Sequence, residues 1–186
     1  MNKKIGALLL GALVAVSVPL AESQARTTGG LTYYAQPSVI VAFPGSDFDT
    51  AVGGALALGV NLNAANSFEL EVTNFQTQAK NYSWVKFKFT PVMLGYKYRI
   101  PLAQNLSWQV GASVGAMFEN ARVDYFSWGY TGNQTALAGG LQSGIVYAIN
   151  ESVSLDLGVK VQYSANTDIT TAGSMTMINL GLKFRF

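Results

Sequence analysis

The sequence contains no cysteine and no histidine. Without cysteine there are no disulfides and no thiolate metal sites. Without histidine the commonest general base near neutral pH is missing, and with it the commonest metal ligand. Charge is scarce as well, with 12% Asp, Glu, Lys and Arg, where a soluble domain carries about 25%. That deficit points away from a water-exposed surface. Past the extreme N-terminus no stretch reaches the roughly 18–20 consecutive apolar residues of a transmembrane helix. No basic run suggests nucleic acid as a partner. Yet 49% of the residues are hydrophobic. High apolar content without long apolar runs is what a β-barrel wall produces, because only every second residue faces lipid.

The N-terminus reads as a targeting segment. Lys3 and Lys4 form a basic start, Ile5 to Val18 an apolar stretch, and Pro19 breaks it. Small residues follow, and Ser23-Gln24-Ala25 matches a signal-peptidase site. Residues 1–25 are expected to be a signal peptide and residues 26–186 the mature domain, with 10 basic and 9 acidic residues. An uncleaved anchor helix is the alternative, but the apolar stretch is short for a span.

From Leu31 onward the pattern alternates with period two, the strand signature. In residues 153–163, Val153, Leu155, Leu157, Val159, Val161 and Tyr163 share one face, with Ser154, Asp156, Gly158, Lys160 and Gln162 on the other. Eight segments are expected, at 32–43, 51–62, 67–77, 83–100, 106–120, 134–149, 153–163 and 174–186. Short connections (63–66, 101–105, 150–152) alternate with mostly longer ones (44–50, 78–82, 121–133, 164–173). This is the habit of an outer-membrane barrel with short periplasmic turns and long outer loops. The expected fold is all-β: an eight-stranded antiparallel up-and-down transmembrane β-barrel with both mature termini periplasmic. Pro91 interrupts the fourth segment, where Lys86 and Lys88 have one parity and Lys97 and Arg99 the other. A β-bulge near Pro91 would turn all four inward. Pro37 in the first segment suggests a bend or bulge there.

Alternation alone does not say which face is the core, and a lipocalin-like soluble barrel would put its apolar face inside. Three features favour the membrane arrangement. The polar face is rich in small residues such as Gly53, Gly59, Gly111, Ser113, Gly115 and Gly144, as a narrow filled lumen requires. Aromatics collect near strand ends, with Tyr96, Tyr98, Trp108, Tyr147 and Phe184 at one level and Phe43, Trp84, Phe118 and Tyr163 at the other, as in interfacial girdles. The chain also ends on Phe186 after a clean alternating strand.

The ending Ile178-Asn-Leu-Gly-Leu-Lys-Phe-Arg-Phe186 resembles the terminal strand of outer-membrane proteins. The stretches Thr90 to Leu102 and Trp108 to Ala116 resemble the small OmpA-like and opacity-type β-barrel domain. The resemblance implies recognition of Phe186 by the barrel assembly machinery, an integral outer-membrane location, and lipid as the surrounding partner. No periplasmic domain is expected after residue 186.

On this parity the lumen receives Glu69, Glu71, Lys86, Lys88, Lys97, Arg99, Glu119, Asp156, Lys160, Lys183 and Arg185. Glu69, Glu71, Lys97, Arg99, Asp156, Lys160, Lys183 and Arg185 are the candidate lumen charge network, because buried charges need partners. Antiparallel pairing brings Glu69 and Glu71 beside Lys97 and Arg99, and Asp156 beside Lys183. The network reads as a plug that fills the barrel, the alternative being a gated minor pore for small solutes; eight strands leave little room beyond side chains. Without histidine, and with Ser113, Ser143 and Ser154 read as fillers, no catalytic set is expected. A lipid-modifying enzyme is the third reading, and no cofactor or metal is expected. The third outer loop holds Tyr125, Phe126, Trp128 and Tyr130, which suit either a surface-interaction site or the upper part of a protruding hairpin. The function expected is a structural or surface-interaction, adhesin-like barrel, with no ligand identified by the sequence.

Overall fold

The computed structural model describes residues 31–80, 82–125, 128–165 and 173–186; the expected signal peptide lies outside them. Eight strands form, at β1 Thr32–Phe43, β2 Ala51–Asn61, β3 Asn66–Ala79, β4 Tyr82–Pro101, β5 Leu106–Tyr125, β6 Trp128–Ala148, β7 Val153–Ser164 and β8 Ser174–Arg185. They pair antiparallel in sequence order, and β8 returns to β1 to close a barrel. The period-two pattern fixes the register. Even residues of β1 and β7 and odd residues of β2, β3, β4, β5 and β8 turn inward, while a ring of Leu, Val and Ile stands exposed outside. Leu94, Val114, Leu137, Leu141, Leu157 and Leu180 are each more than half exposed. In water such a continuous apolar band would be untenable, whereas in hydrocarbon it is the required surface.

The strands come together at the end that carries both termini through short turns built on asparagine. Asn63 Oδ1 accepts from the N–H groups of Ala65 and Asn66 at 2.9 and 2.8 Å. Asn150 Oδ1 does the same for Ser152 and Val153, at 2.9 and 2.8 Å. An asparagine side chain that mimics a backbone turn is a local signal sufficient to reverse the chain. Both turns stand where the sequence pattern places them.

The wall is uneven. β1, β2, β7 and β8 have 11 or 12 residues, whereas β4, β5 and β6 have 20 or 21. The sequence reading stops β5 at 120 and starts β6 at 134, with 121–133 as a loop. In the fold the two strands continue as a paired ladder up to Tyr125–Trp128.

The expected bulge at Pro91 does not form. The β4–β5 register runs unbroken from Val85–Val123 to Pro101–Ser107. The β3–β4 ladder skips from Val72–Val92 to Phe75–Phe89 without changing register. Pro37 behaves alike: it pairs with Leu56 on β2, while the β1–β8 ladder skips it without a shift. The reason is that a residue in an antiparallel strand bonds to only one of its two neighbours. Each proline therefore removes its missing donor from one ladder and leaves the other intact. The irregularity of β3–β4 lies instead at Gln78/Ala79, beside the hairpin tip.

With no shift at Pro91, Lys86 and Lys88 point outward and are exposed, and Phe87 and Phe89 take the inward parity. This corrects the placement of the two lysines in the lumen.

Candidate functional site: the barrel lumen

The end of the lumen nearest the termini is charged. Lys97 on β4 meets Glu69 on β3, Nζ to Oε2 2.8 Å, with each side chain 3% exposed. Tyr34 on β1 reaches across to the same carboxylate and donates its hydroxyl to Oε2 at 2.9 Å. Its ring lies over Gly59, where a Cβ would stand 2.2 Å from the ring. Glycine is what admits this crossing. One level deeper, Lys160 on β7 forms an ion pair with Glu71 on β3, so this bridge spans opposite walls. Thr73 Oγ1 donates to the other Glu71 oxygen at 3.1 Å.

Asp156 is fully buried. Its carboxylate accepts from Gln109 Nε2 at 2.6 Å and Asn179 Nδ2 at 3.4 Å. Lys183, opposite Ser154 in the β7–β8 register, does not ion-pair with it. Its Nζ sits 4.4 Å above the centre of the Tyr34 ring, a cation–π contact, and has no hydrogen-bond partner. Arg185 closes the mouth through Nη2 on Asn150 O and Ser154 Oγ, both at 3.2 Å. Arg99 also faces inward, half-buried and level with Gln109 on β5. Amid these groups remains a cavity of ≈ 20 Å³ bordered by Glu69, Glu71, Gln142, Lys160 and Gln162, space for about one water.

Toward the loop end the lining changes character. Ile40, Phe75, Phe89, Met93, Met117, Met175 and Met177 pack into one buried cluster. Phe75 stacks on Phe89 at 5.3 Å between ring centres. Phe48, from the β1–β2 loop, packs edge-on against Phe87 and Phe89 at 5.0 and 6.0 Å. That loop is pinned to the tip of β3: Asp49 N–H donates to Gln78 O at 2.9 Å, Lys80 N–H to Asp47 O at 3.0 Å, and Thr77 Oγ1 to Asp49 O at 2.5 Å. Glu119 is buried at this level too. The apolar stack escaped the sequence reading, although the signal was present. Phe87, Phe89 and Met93 share the parity of Lys97, Phe75 that of Glu69, and Met175 and Met177 that of Lys183.

The lumen is thus filled at two levels, one charged and one apolar. Among the described residues no group of three or more Asp or Glu side chains could hold a metal ion. Of the aromatic loop residues, the backbones of Tyr125 and Trp128 end the β5–β6 ladder and Tyr130 pairs with Val123. Phe126 and the side chains of Tyr125, Trp128 and Tyr130 lie outside the described residues.

A closed eight-stranded barrel with an apolar outer band defines a small outer-membrane β-barrel protein. The chain belongs to the outer membrane protein beta-barrel domain family, whose model matches residues 6–186, and is an integral outer-membrane protein. Among solved structures it is similar to Neisserial surface protein A, at 18% identity over 86% of this chain and 98% of that one, with a TM-score of 0.64. A major outer membrane protein of Thermus thermophilus matches at 14% identity over 84% of this chain and 100% of that one, TM-score 0.64. Ail, the attachment invasion locus protein of Yersinia pestis, matches at 16% identity over 86% and 100%, TM-score 0.59. At these identities the likeness speaks for the fold alone. No curated protein sequence matches the chain.

Proposed function

We propose that this protein is a structural and surface-interaction barrel, adhesin-like in role, whose sealed lumen conducts no steady flow of solute. The observation that carries this reading is the double filling of the lumen. The Glu71–Lys160 bridge crosses the bore, and the Phe75–Phe89–Met117 cluster stands above it. A water file entering the charged half meets an apolar layer that offers it few hydrogen-bond partners. The ion pairs that a pore lining would draw on lie in the half nearest the termini, while the loop half is mainly apolar with Glu119 buried in it.

In this reading the terminal end faces the periplasm and the tall β4–β5–β6 wall rises outside the cell. Phe186 serves the barrel assembly machinery, and the region around Tyr125, Phe126, Trp128 and Tyr130 meets a surface partner. Among the described residues the hydroxyls that meet carboxylates, Thr73 on Glu71 and Tyr34 on Glu69, are buried inside the filled lumen away from the surrounding lipid, which speaks against catalysis on lipid. Reconstitution into planar bilayers tests the sealed lumen: the expected record is silent, and large steady openings would overturn it in favour of the pore. Accessibility of a cysteine placed at Ser46 to an impermeant thiol reagent on intact cells tests the orientation. Alanine at the four aromatic positions is expected to lower binding to a surface partner while the barrel still forms.

A further inference from the structure

Lys86 and Lys88 stand outward on β4, and the β4–β5 ladder sets Arg122 directly opposite Lys86 and Asn120 opposite Lys88. Lys88 is ten residues up β4 from Tyr98, which lies in the aromatic belt near the termini. At about 3.3 Å per residue and a tilt near 40°, that separation is about 25 Å along the barrel axis. An outer-membrane barrel has an apolar band of about this height. The neighbouring strand agrees: Phe118 lies ten residues up from Trp108, and the polar positions Asn120 and Arg122 begin just above it. The cations therefore stand at the level where acyl chains give way to headgroups. The outer wall there is grooved. A hollow of ≈ 610 Å³ is bordered by Lys88, Phe118, Asn120 and Asn133, and one of ≈ 280 Å³ by Lys86, Lys88 and Arg122. Phe118 forms an apolar floor for the part of an acyl chain nearest its headgroup, with cations and amide groups directly overhead.

We infer that Lys86, Lys88 and Arg122, with Asn120 and Asn133, form a binding site on the outer wall for phosphate-bearing headgroups of the surrounding membrane lipid. The grounds are charge complementarity and direct continuity with the lipid-facing band below. A bound lipid would hold its chains along Val114 and Leu137 and its phosphate between the basic side chains. The site rests on the loop end occupying the headgroup region, but not on which leaflet that is. A vesicle with the same lipids in both leaflets is blind to orientation, so failure of the site and failure of the orientation are separate results.

The test is the folded protein in phosphatidylcholine vesicles containing trace spin-labelled phosphatidylglycerol or spin-labelled phosphatidylcholine, with boundary enrichment read by electron paramagnetic resonance. The expected result is enrichment of the anionic probe by about fivefold, the factor that about one basic residue near a charged bilayer supplies. It should shrink with added salt and fall toward parity in the Lys86→Gln/Lys88→Gln/Arg122→Gln variant. Unchanged heat-modifiable gel migration certifies that the variant is folded. Equal enrichment in both proteins, or none in either, overturns the site. So does loss of binding to a soluble polysulfated sugar in the variant with lipid selectivity intact, which would assign the patch to a glycan.

Discussion

The two halves of the barrel obey opposite rules. Near the termini the bore holds Glu69, Lys97, Asp156 and Lys183, and the outer face carries Leu58, Leu70, Leu94 and Leu157. Toward the loops the bore turns apolar: Met117 and Met177 lie within the lipid-facing band, beside Phe118 and Ile178, and Phe75 and Phe89 lie above it, where β3 to β5 turn Gln76, Lys86, Lys88 and Arg122 outward. The same alternation runs through both halves, and no strand slips in register at the crossing. The bore turns apolar within the lipid-covered band, and above it the solvent outside changes as well. Where hydrocarbon covers the wall, polar groups have only the bore in which to find partners. Where it no longer does, at the level of Phe75 and Phe89, the ordinary rule returns and apolar residues lie inside. Periodicity fixes which residues share a face, and the surroundings decide which face is apolar.

The largest effect should come from violating the rule of the loop half. Met117→Asp places an unpaired carboxylate in a fully buried apolar stack, expected to cost about 4 kcal/mol in urea unfolding of the folded barrel. The same charge introduced at Gln142, beside Lys160, should be mild. If both positions respond equally, the division of the lumen is wrong. In the charged half, Glu69→Gln leaves Lys97 without its ion-pair partner and is expected to destabilise by about 3 kcal/mol. Glu69→Gln with Lys97→Met should recover most of that loss, and a double-mutant cycle reads the coupling. On the lipid face, Leu157→Arg near mid-membrane is expected to cost about 2–3 kcal/mol. Arginine at the outward position Gln76 in the loop half should change stability by less than about 0.5 kcal/mol. Among the substitutions expected to destabilise, the smallest effect belongs to Phe48→Ala, which removes two edge-on ring contacts at about 0.5–1.5 kcal/mol each at most. Because Phe48 is on a loop, the signature to seek is faster hydrogen exchange of the Asp49 and Lys80 amides rather than a large loss of stability.

Much of this architecture was legible before the fold. The strands β1, β7 and β8 begin and end within a residue or so of the positions set by alternation, and the asparagine turns fall where expected. Hydrophobic alternation and turn residues are local signals, and a barrel is built mostly of local pairings. The main error came from the assumption that every charge on a wall strand must face inward. That assumption invented a bulge at Pro91 to turn Lys86 and Lys88 into the bore. Keeping parity through Pro91 would have delivered Phe87 and Phe89 to the lumen. Partnerships were harder to read. The meeting of Glu69 with Lys97 follows from neighbouring strands, but the bridge from Glu71 to Lys160 crosses the bore. Tyr34 runs along the wall over its ladder partner Gly59 to Glu69 on β3, a path that needs the glycine between them. Such contacts depend on the barrel's diameter and stagger, which no single strand encodes.

The ladder between β1 and β8 differs from all others, since it joins Tyr34 to Arg185 and Phe43 to Thr176. Each remaining ladder is a hairpin between strands adjacent in sequence and can form from one continuous stretch of chain. This one must wait for the last residues. Until β8 arrives, both β1 and β7 present a row of unpaired amides and carbonyls that hydrocarbon will not tolerate. Insertion and completion are therefore a single event. A chain shortened by its final strand would not make a narrower barrel but would have no stable way to reside in the bilayer.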